Sequence, residues 1–287
     1  MLALARWRLR NRRIPLWCNG LVPALATTGV GPRLVHLHGV PSARQRAALA
    51  VARLRSRAVV VPSRYLASIV DGSTVLPNWT GPCDVDVRLT RHSSAGPLRV
   101  GFLGRLTAAK GAAVLAHSLQ TVAERRRHDG ASRDITLVVA GTPRFTDPSD
   151  ADGMEAALME LDLPVERLGW VDRHAFFDQV DLAVFPSIAP ETFGLVAAEA
   201  MAARIPFVIS DAGALPEVAG PDHPWIARAG DHDDLAAVLC NALYAVENGS
   251  AALHADNAHR RWEAMFSPPA GRERIARLMH SMGRSQP

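Results

Sequence analysis

Two short runs of this 287-residue chain combine residue types suited to holding an anion and a polyhydroxylated ring. In the first, Gly101-Phe102-Leu103-Gly104-Arg105 is followed by Lys110-Gly111, which sets a guanidinium and an ammonium close together behind an extended run that ends in small residues. Glycine lets a backbone approach a ligand closely, a guanidinium forks onto phosphate oxygens, and an ammonium adds a compact point charge. A cation at a helix start works against the helix dipole, and Lys110 is the single lysine of the chain, so its position favours function over a solvated loop.

The second run is Pro190-Glu191-Thr192-Phe193-Gly194-Leu195 with Glu199 behind it, two acids separated by seven residues. A helix beginning around Thr192 would turn its free backbone N–H groups and positive dipole end toward a diphosphate, leaving the carboxylates to accept hydrogen bonds from sugar hydroxyls. Acids also occur in first helical turns for dipole reasons alone, so the spacing by itself leaves both readings open.

These residues need a scaffold, and the flanking pattern supplies one. From Leu98 onward, short apolar runs alternate with longer helical stretches, the signature of strand-helix-strand units around a parallel sheet. Strands are predicted at 98–103, 135–140, 182–185 and 206–210. Helices are predicted at 111–127, 154–161, 173–179, 195–203 and 233–247. Upstream, Arg33 to His38 and Ala58 to Val61 read as buried strands separated by a helix over 43–55, with a weaker extended piece at 74–77. A turn-rich segment from Pro77 to Pro97 reads as an interdomain linker. The expected division is therefore 1–94, 95–268 and a C-terminal helix within 269–287 that packs back through Ile275, Leu278 and Met279.

Taken together and in this order, Gly104-Arg105 with Lys110-Gly111, then Pro190-Glu191-Thr192-Phe193-Gly194 with Glu199, resemble the paired signature of family 4 retaining glycosyltransferases. The resemblance continues through Val139-Ala140-Gly141, Leu168-Gly169-Trp170-Val171 and Ser210-Asp211-Ala212-Gly213 and covers residues 98 to 282. It implies the GT-B class: α/β, two Rossmann-like domains, the second a complete doubly wound parallel sheet. It also implies roles. Arg105 and Lys110 would hold the donor diphosphate and stabilise the charge that develops on it. Glu191 would contact the donor sugar and Glu199 the ribose. The backbone of Phe193, Gly194 and Leu195 would lie near the phosphates, with Gly104 and Gly141 beside the donor, and Gly169, Trp170 and Val171 would flank the base. In the first domain, Arg33-Leu34-Val35-His36-Leu37-His38-Gly39 resembles the acceptor-side strand, which makes His38 a candidate catalytic residue. The implied substrates are a nucleotide diphosphate sugar and a saccharide or lipid-linked acceptor.

With two cations and a helix N-terminus to neutralise the diphosphate, no metal and no separate cofactor are expected. Asp84-Val85-Asp86 falls in the linker and is not read as a metal site. Family members usually carry a first domain as large as the second, so the first domain is expected to be incomplete, with an open sheet edge. Three readings stay open: a longer native chain, a second polypeptide that completes the domain as a protein partner, and a decaying or regulatory paralogue. Two other functional classes stay open: a non-catalytic nucleotide-sugar-binding partner subunit, and a nucleotide-sugar epimerase.

Composition bounds the rest. Hydrophobic residues make up 48% and charged residues 21%, as in globular domains; net charge is +4. A sequence pI near 9.5 favours anionic partners in general; no nucleic-acid partner is expected. Cys18, Cys83 and Cys240 lack metal or disulfide spacing. No run approaches the roughly 18 apolar residues of a membrane span and no signal-peptide core precedes the N-terminal arginines, so a cytoplasmic protein is expected. The basic N-terminus, with Trp7 and Leu9 among five arginines, reads first as a solvated helix face and, as the alternative, as a peripheral contact to the inner face of an anionic membrane.

Overall fold

The computed structural model describes residues 1–85, 96–131, 133–142 and 148–284. The chain divides into two compact units, Met1–Asn78 with Gly271–Pro287, and Trp79–Ala270.

The first unit is built on a four-stranded parallel sheet in simple order: β1 Leu16–Asn19, β2 Arg33–His36, β3 Ala58–Val61 and β4 Thr74–Val75. Helix α1 (Leu2–Arg10) precedes β1, and α2 (Leu21–Ala26), α3 (Ala43–Ala52) and α4 (Arg64–Ile69) follow β1, β2 and β3. Val35, Leu37, Val59 and Val61 pack with Leu49 and Leu66 in one core layer, while Leu34, Val60 and Leu76 meet Ile275 and Leu278 of the C-terminal helix in another. Helix α3 opens on a capping box in which the Ser42 hydroxyl accepts from the Gln45 N–H and Gln45 Oε1 from the Ser42 N–H. The helix stops at Ala52 rather than 55, because Arg55 adopts a positive φ of 57°.

In the second unit, six parallel strands run in the order β10-β9-β8-β5-β6-β7. They are β5 Leu98–Leu103, β6 Ile135–Ala140, β7 Val165–Gly169, β8 Leu182–Phe185, β9 Phe207–Ser210 and β10 Ile226–Ala227. Alternate side chains of each strand enter two cores. Val100, Leu137, Val139 and Val184 pack on one face with Leu115 and Leu239, and Val138, Ala183, Phe185 and Ile209 pack on the other with Phe176 and Met201. Both faces of the sheet are thus covered over β5, β6, β8 and β9, which is why those strands are near-continuous apolar runs. The chain leaves β5 toward β6 and β7, then returns to β8 on the opposite side of β5, so the strand order reverses between β5 and β8. Open α/β sheets bind ligands in the crevice outside the carboxyl ends of their strands at such a reversal.

The expected junction near Ser94 lies outside the described residues, as does Asp86. Residues 79–85 belong to the second unit: the Thr80 N–H donates to Phe266 O at 2.9 Å, and Cys83 is buried in its core. No described helix is long and apolar enough to cross a membrane.

Candidate functional site

Two loops meet at the strand-order reversal. After β5 the chain runs through Gly104 and Arg105 into a 3-10 turn, Ala108–Lys110. After β8 it runs through Pro186 and Ser187 to Glu191. The N–H groups of Ile188 and Ala189 both donate to Ala109 O, at 2.9 and 3.1 Å, and stitch the loops together. Gly111 is required at this seam: its φ is +74°, and a Cβ there would sit 1.9 Å from Pro186 O. The result brings Lys110 Nζ against Glu191 Oε1 as an ion pair, both side chains about one-fifth exposed. Ser187 Oγ also donates to Glu191 Oε1, at 2.7 Å.

Glu191 is held from the far side by β9's extension. It forms an isolated parallel bridge with Gly213, its carbonyl accepting from the Ala214 N–H at 2.9 Å. This pairing keeps the chain extended past Glu191, and Gly194 then takes a left-handed conformation as helix cap. The helix predicted over 195–203 begins at Leu195, not at the earlier start around Thr192, and runs to Ala202 as α8 of this chain, counting α5 as Ala112–His128, α6 as Pro148–Met159 and α7 as Arg173–Phe177. Phe193 is a core residue by its side chain, 4% exposed and edge-on to Phe266 with ring centroids 5.4 Å apart. Leu195 is exposed at the helix start.

The loop that carries Lys110 also contributes Gly104 and Arg105 to a cleft of about 490 Å³, lined further by Gly141, Trp170, Val171 and Glu199, together with Thr142, Asp172 and Arg173. It is formed by loops at the carboxyl ends of β5, β6 and β7 and by the second turn of α8. The β6 loop comes in close: the Gly104 N–H donates to Ala140 O at 3.0 Å and the Gly141 N–H to Gly169 O at 2.7 Å. Gly141 has φ +144°, and a Cβ on it would fall 1.9 Å from Gly104 O, so no other residue fits. Trp170 is 78% exposed at the rim, an unusual position for an indole without a partner surface.

Arg173 is a cleft residue that the motif reading passes over. It stands 3.7 Å from Glu199, donates from Nη2 to Pro82 O at 2.9 Å and also reaches the Thr80 hydroxyl. Its signal in the sequence is local: Asp172, directly after Trp170-Val171, caps the next helix by accepting from the His174 N–H, which fixes Arg173 at the first helical position facing the cleft. Burial is the main cause that holds the Glu199 carboxyl above the usual carboxylate range; Arg173 opposes that shift and Asp172 adds to it.

Of the expected site residues, Gly104, Arg105, Gly141, Trp170, Val171 and Glu199 share the cleft. Lys110 and Glu191 pair at the adjoining loops, and Gly169 contributes its carbonyl as a support. His38 belongs to the first unit, where its Nε2 lies 2.5 Å from Asn19 Oδ1 and its ring 3.9 Å from that of His36. Burial lowers the pKa of both histidines, that of His36 to about 4. Among the described residues, no three His, Cys, Asp or Glu side chains converge as a metal site.

Comparison with known proteins gives these features a family. Residues 97–244 match the family described as Glycosyl transferases group 1. An MMP alpha-(1->4)-mannosyltransferase of Mycolicibacterium hassiacum is 29% identical over 197 residues, 67% of this chain and 46% of that protein. An uncharacterized glycosyltransferase of Methanocaldococcus jannaschii is 34% identical over 163 residues, 52% of this chain and 38% of that protein. The chain spans less than half the length of these two curated relatives. Among solved structures, Anabaena Alr3699/HepE in complex with UDP and glucose superposes with a TM-score of 0.78 at 21% identity, over 97% of this chain and 81% of that one, a likeness of fold. Because the sequence match takes in the strand that leads to Gly104, both loops of the reversal and the helix that carries Glu199, and runs over more than half of the chain, this protein belongs to the family Glycosyl transferases group 1.

Proposed function

We propose that the chain moves a sugar from a nucleotide diphosphate sugar to a hydroxyl of a saccharide or lipid-linked acceptor, with retention at the anomeric carbon. The observation that carries this reading is the cleft at the strand-order reversal, where Arg105, Glu199 and an exposed indole converge beside the Lys110–Glu191 pair. A diphosphate needs cations and N–H donors, and a ribose needs a carboxylate acceptor. Trp170 and Val171 offer an apolar edge for a base. In support, HepE of Anabaena has been solved with UDP and with UDP-glucose.

In this reading Lys110 and Glu191 separate when donor binds: the ammonium turns to the diphosphate and the carboxylate to hydroxyls of the donor sugar. The bond from the anomeric carbon to the phosphate oxygen breaks as the acceptor oxygen bonds to the same face, and the acceptor proton passes to the departing phosphate oxygen. Arg105 and Lys110 carry the developing negative charge, with no metal in the scheme. His38 serves the acceptor side.

Calorimetric titration with UDP and GDP tests the donor assignment. The expectation is that one of them binds and that Lys110→Ala weakens it roughly tenfold to a hundredfold, the loss of one charge-assisted contact. If neither nucleotide binds the unaltered chain at millimolar concentration, the assignment fails.

A further inference from the structure

Charge is divided unevenly along this chain. Residues 1–70 hold twelve arginines and not one aspartate or glutamate, although the chain contains 28 acidic residues. The first unit as a whole sets 16 arginines against two acids, Asp71 and Glu273, whereas the second sets 26 acids against 16 cations. The modest net charge of +4 is the sum of two strongly opposed halves.

The arginines do not simply dissolve into a polar surface. Helices α1, α2 and α3 pack side by side, α2 touching both others, over the core formed by Cys18, Val35 and Leu49. Arg8 orients α1: its buried guanidinium donates to Val30 O at 2.7 Å and Pro32 O at 2.8 Å, a peg that turns the neighbouring residues outward. Exposed on α1 and α3 are Arg6, Arg10, Arg44 and Arg46, and Arg12, just past the end of α1, is exposed as well. Helices α1 and α2 and the turn after α3 also expose large apolar side chains: Leu2 at 76% exposure, Val22 at 63%, Leu54 at 58% and Leu9 at 50%.

We propose that this helix layer docks on an anionic lipid surface. The absence of any acid over 70 residues sets the sign of the partner, and the aliphatic side chains set its kind. A nucleic acid would engage the arginines and leave Leu2, Val22 and Leu54 in water. At a bilayer surface those side chains enter the apolar boundary while the guanidiniums meet headgroup phosphates, and the exposed Trp7 suits the same interface. The proposal is independent of the nucleotide reading, since docking needs no donor.

The test is co-sedimentation of the full chain, without nucleotide, with vesicles of phosphatidylcholine and of a phosphatidylcholine–phosphatidylglycerol mixture. The mixed vesicles should bind at least roughly tenfold more tightly than the neutral ones, with a blue shift of tryptophan emission and release by added salt. Two variants whose fold is checked by circular dichroism separate the contributions. Arg6→Gln with Arg10→Gln should lose most of the preference for anionic vesicles. Leu2→Ser with Leu9→Ser should keep that preference but bind several-fold more weakly. Three results would overturn the proposal: no binding to the mixed vesicles, equal binding to both kinds, or displacement from them by polyuridylate at equal phosphate concentration. Unchanged binding by both folded variants would overturn it as well.

Discussion

Near the cleft of the second unit, cations meet carboxylates: Lys110 pairs with Glu191, and Arg173 stands by Glu199. In the first unit the two buried guanidiniums of Arg8 and Arg33 donate to backbone carbonyls. Arg8 is held by the carbonyls of Val30 and Pro32, and Arg33 by those of Ala24, Ala52 and Leu54 at 2.6 Å each. Burial lowers the pKa of Arg33, the nearby Cys18 raising it and Arg8 lowering it further. The two solutions differ in what they permit. A half-buried ion pair can be opened by a ligand that offers each partner a substitute, a phosphate to the ammonium and a hydroxyl to the carboxylate. A guanidinium wrapped by carbonyls of its own backbone has no such exchange open to it, because leaving would strand several acceptors at once. The same residue chemistry therefore leaves room for ligand exchange in one unit and serves architecture in the other.

The sharpest way to break that contrast is to damage one unit alone. Gly141→Val forces a side chain into Gly104 O from a backbone conformation that β-branched residues avoid, and should destabilise the second unit by about 3 kcal/mol. Urea unfolding followed by vesicle binding checks this. The expected outcome is an earlier transition for the second unit, lost UDP binding and vesicle binding retained. A single transition that moves as a whole would mean that the two units do not act separately.

A smaller effect comes from Glu199. Its pKa is raised in the folded state, chiefly by burial, so folding disfavours the ionised form. That penalty is absent below the ordinary glutamate value of 4.5 and reaches its full size once pH has risen through the folded pKa. Glu199→Gln should therefore be more stable than the unaltered chain at neutral pH and no more stable below pH 4.5. It should bind UDP about tenfold more weakly at neutral pH, the loss of a charge-assisted hydrogen bond, and 2′-deoxy-UDP should show less of that loss. For the unaltered chain, UDP affinity should decline as pH falls through the raised Glu199 pKa, a slope that Glu199→Gln removes.

How much of this was legible in the sequence follows from burial. The strands at 98–103, 135–140 and 182–185 lie within continuous apolar runs because each is covered on both faces, and all three appear where expected. The strand Val165–Gly169 escaped notice because it is an edge strand carrying Glu166 and Arg167, exposed along much of its length. The helix Ala251–Met265 escaped because it buries mainly Ala251, Ala255 and Ala258 with Trp262, too small an apolar stripe to stand out among polar neighbours. At the site, Gly104, Arg105, Gly141 and Glu199, singled out by type and spacing, line one cleft, the first three on loops that leave recognisable strands and Glu199 on the helix after β8. Two features required the folded chain: the bridge of Glu191 to Gly213, which holds the segment before α8 extended, and Arg173, whose partners Thr80, Pro82 and Glu199 are remote in sequence. The acid-free tract was readable throughout but averaged away in a whole-chain charge of +4.

The most direct measurement is an experimental structure of this chain with UDP bound. The account predicts a diphosphate within roughly 2.7–3.2 Å of donors from Arg105 and Lys110, the Lys110–Glu191 pair opened, and ribose hydroxyls on Glu199. Nucleotide density elsewhere, or a bound diphosphate with Lys110 still closed on Glu191, would contradict it.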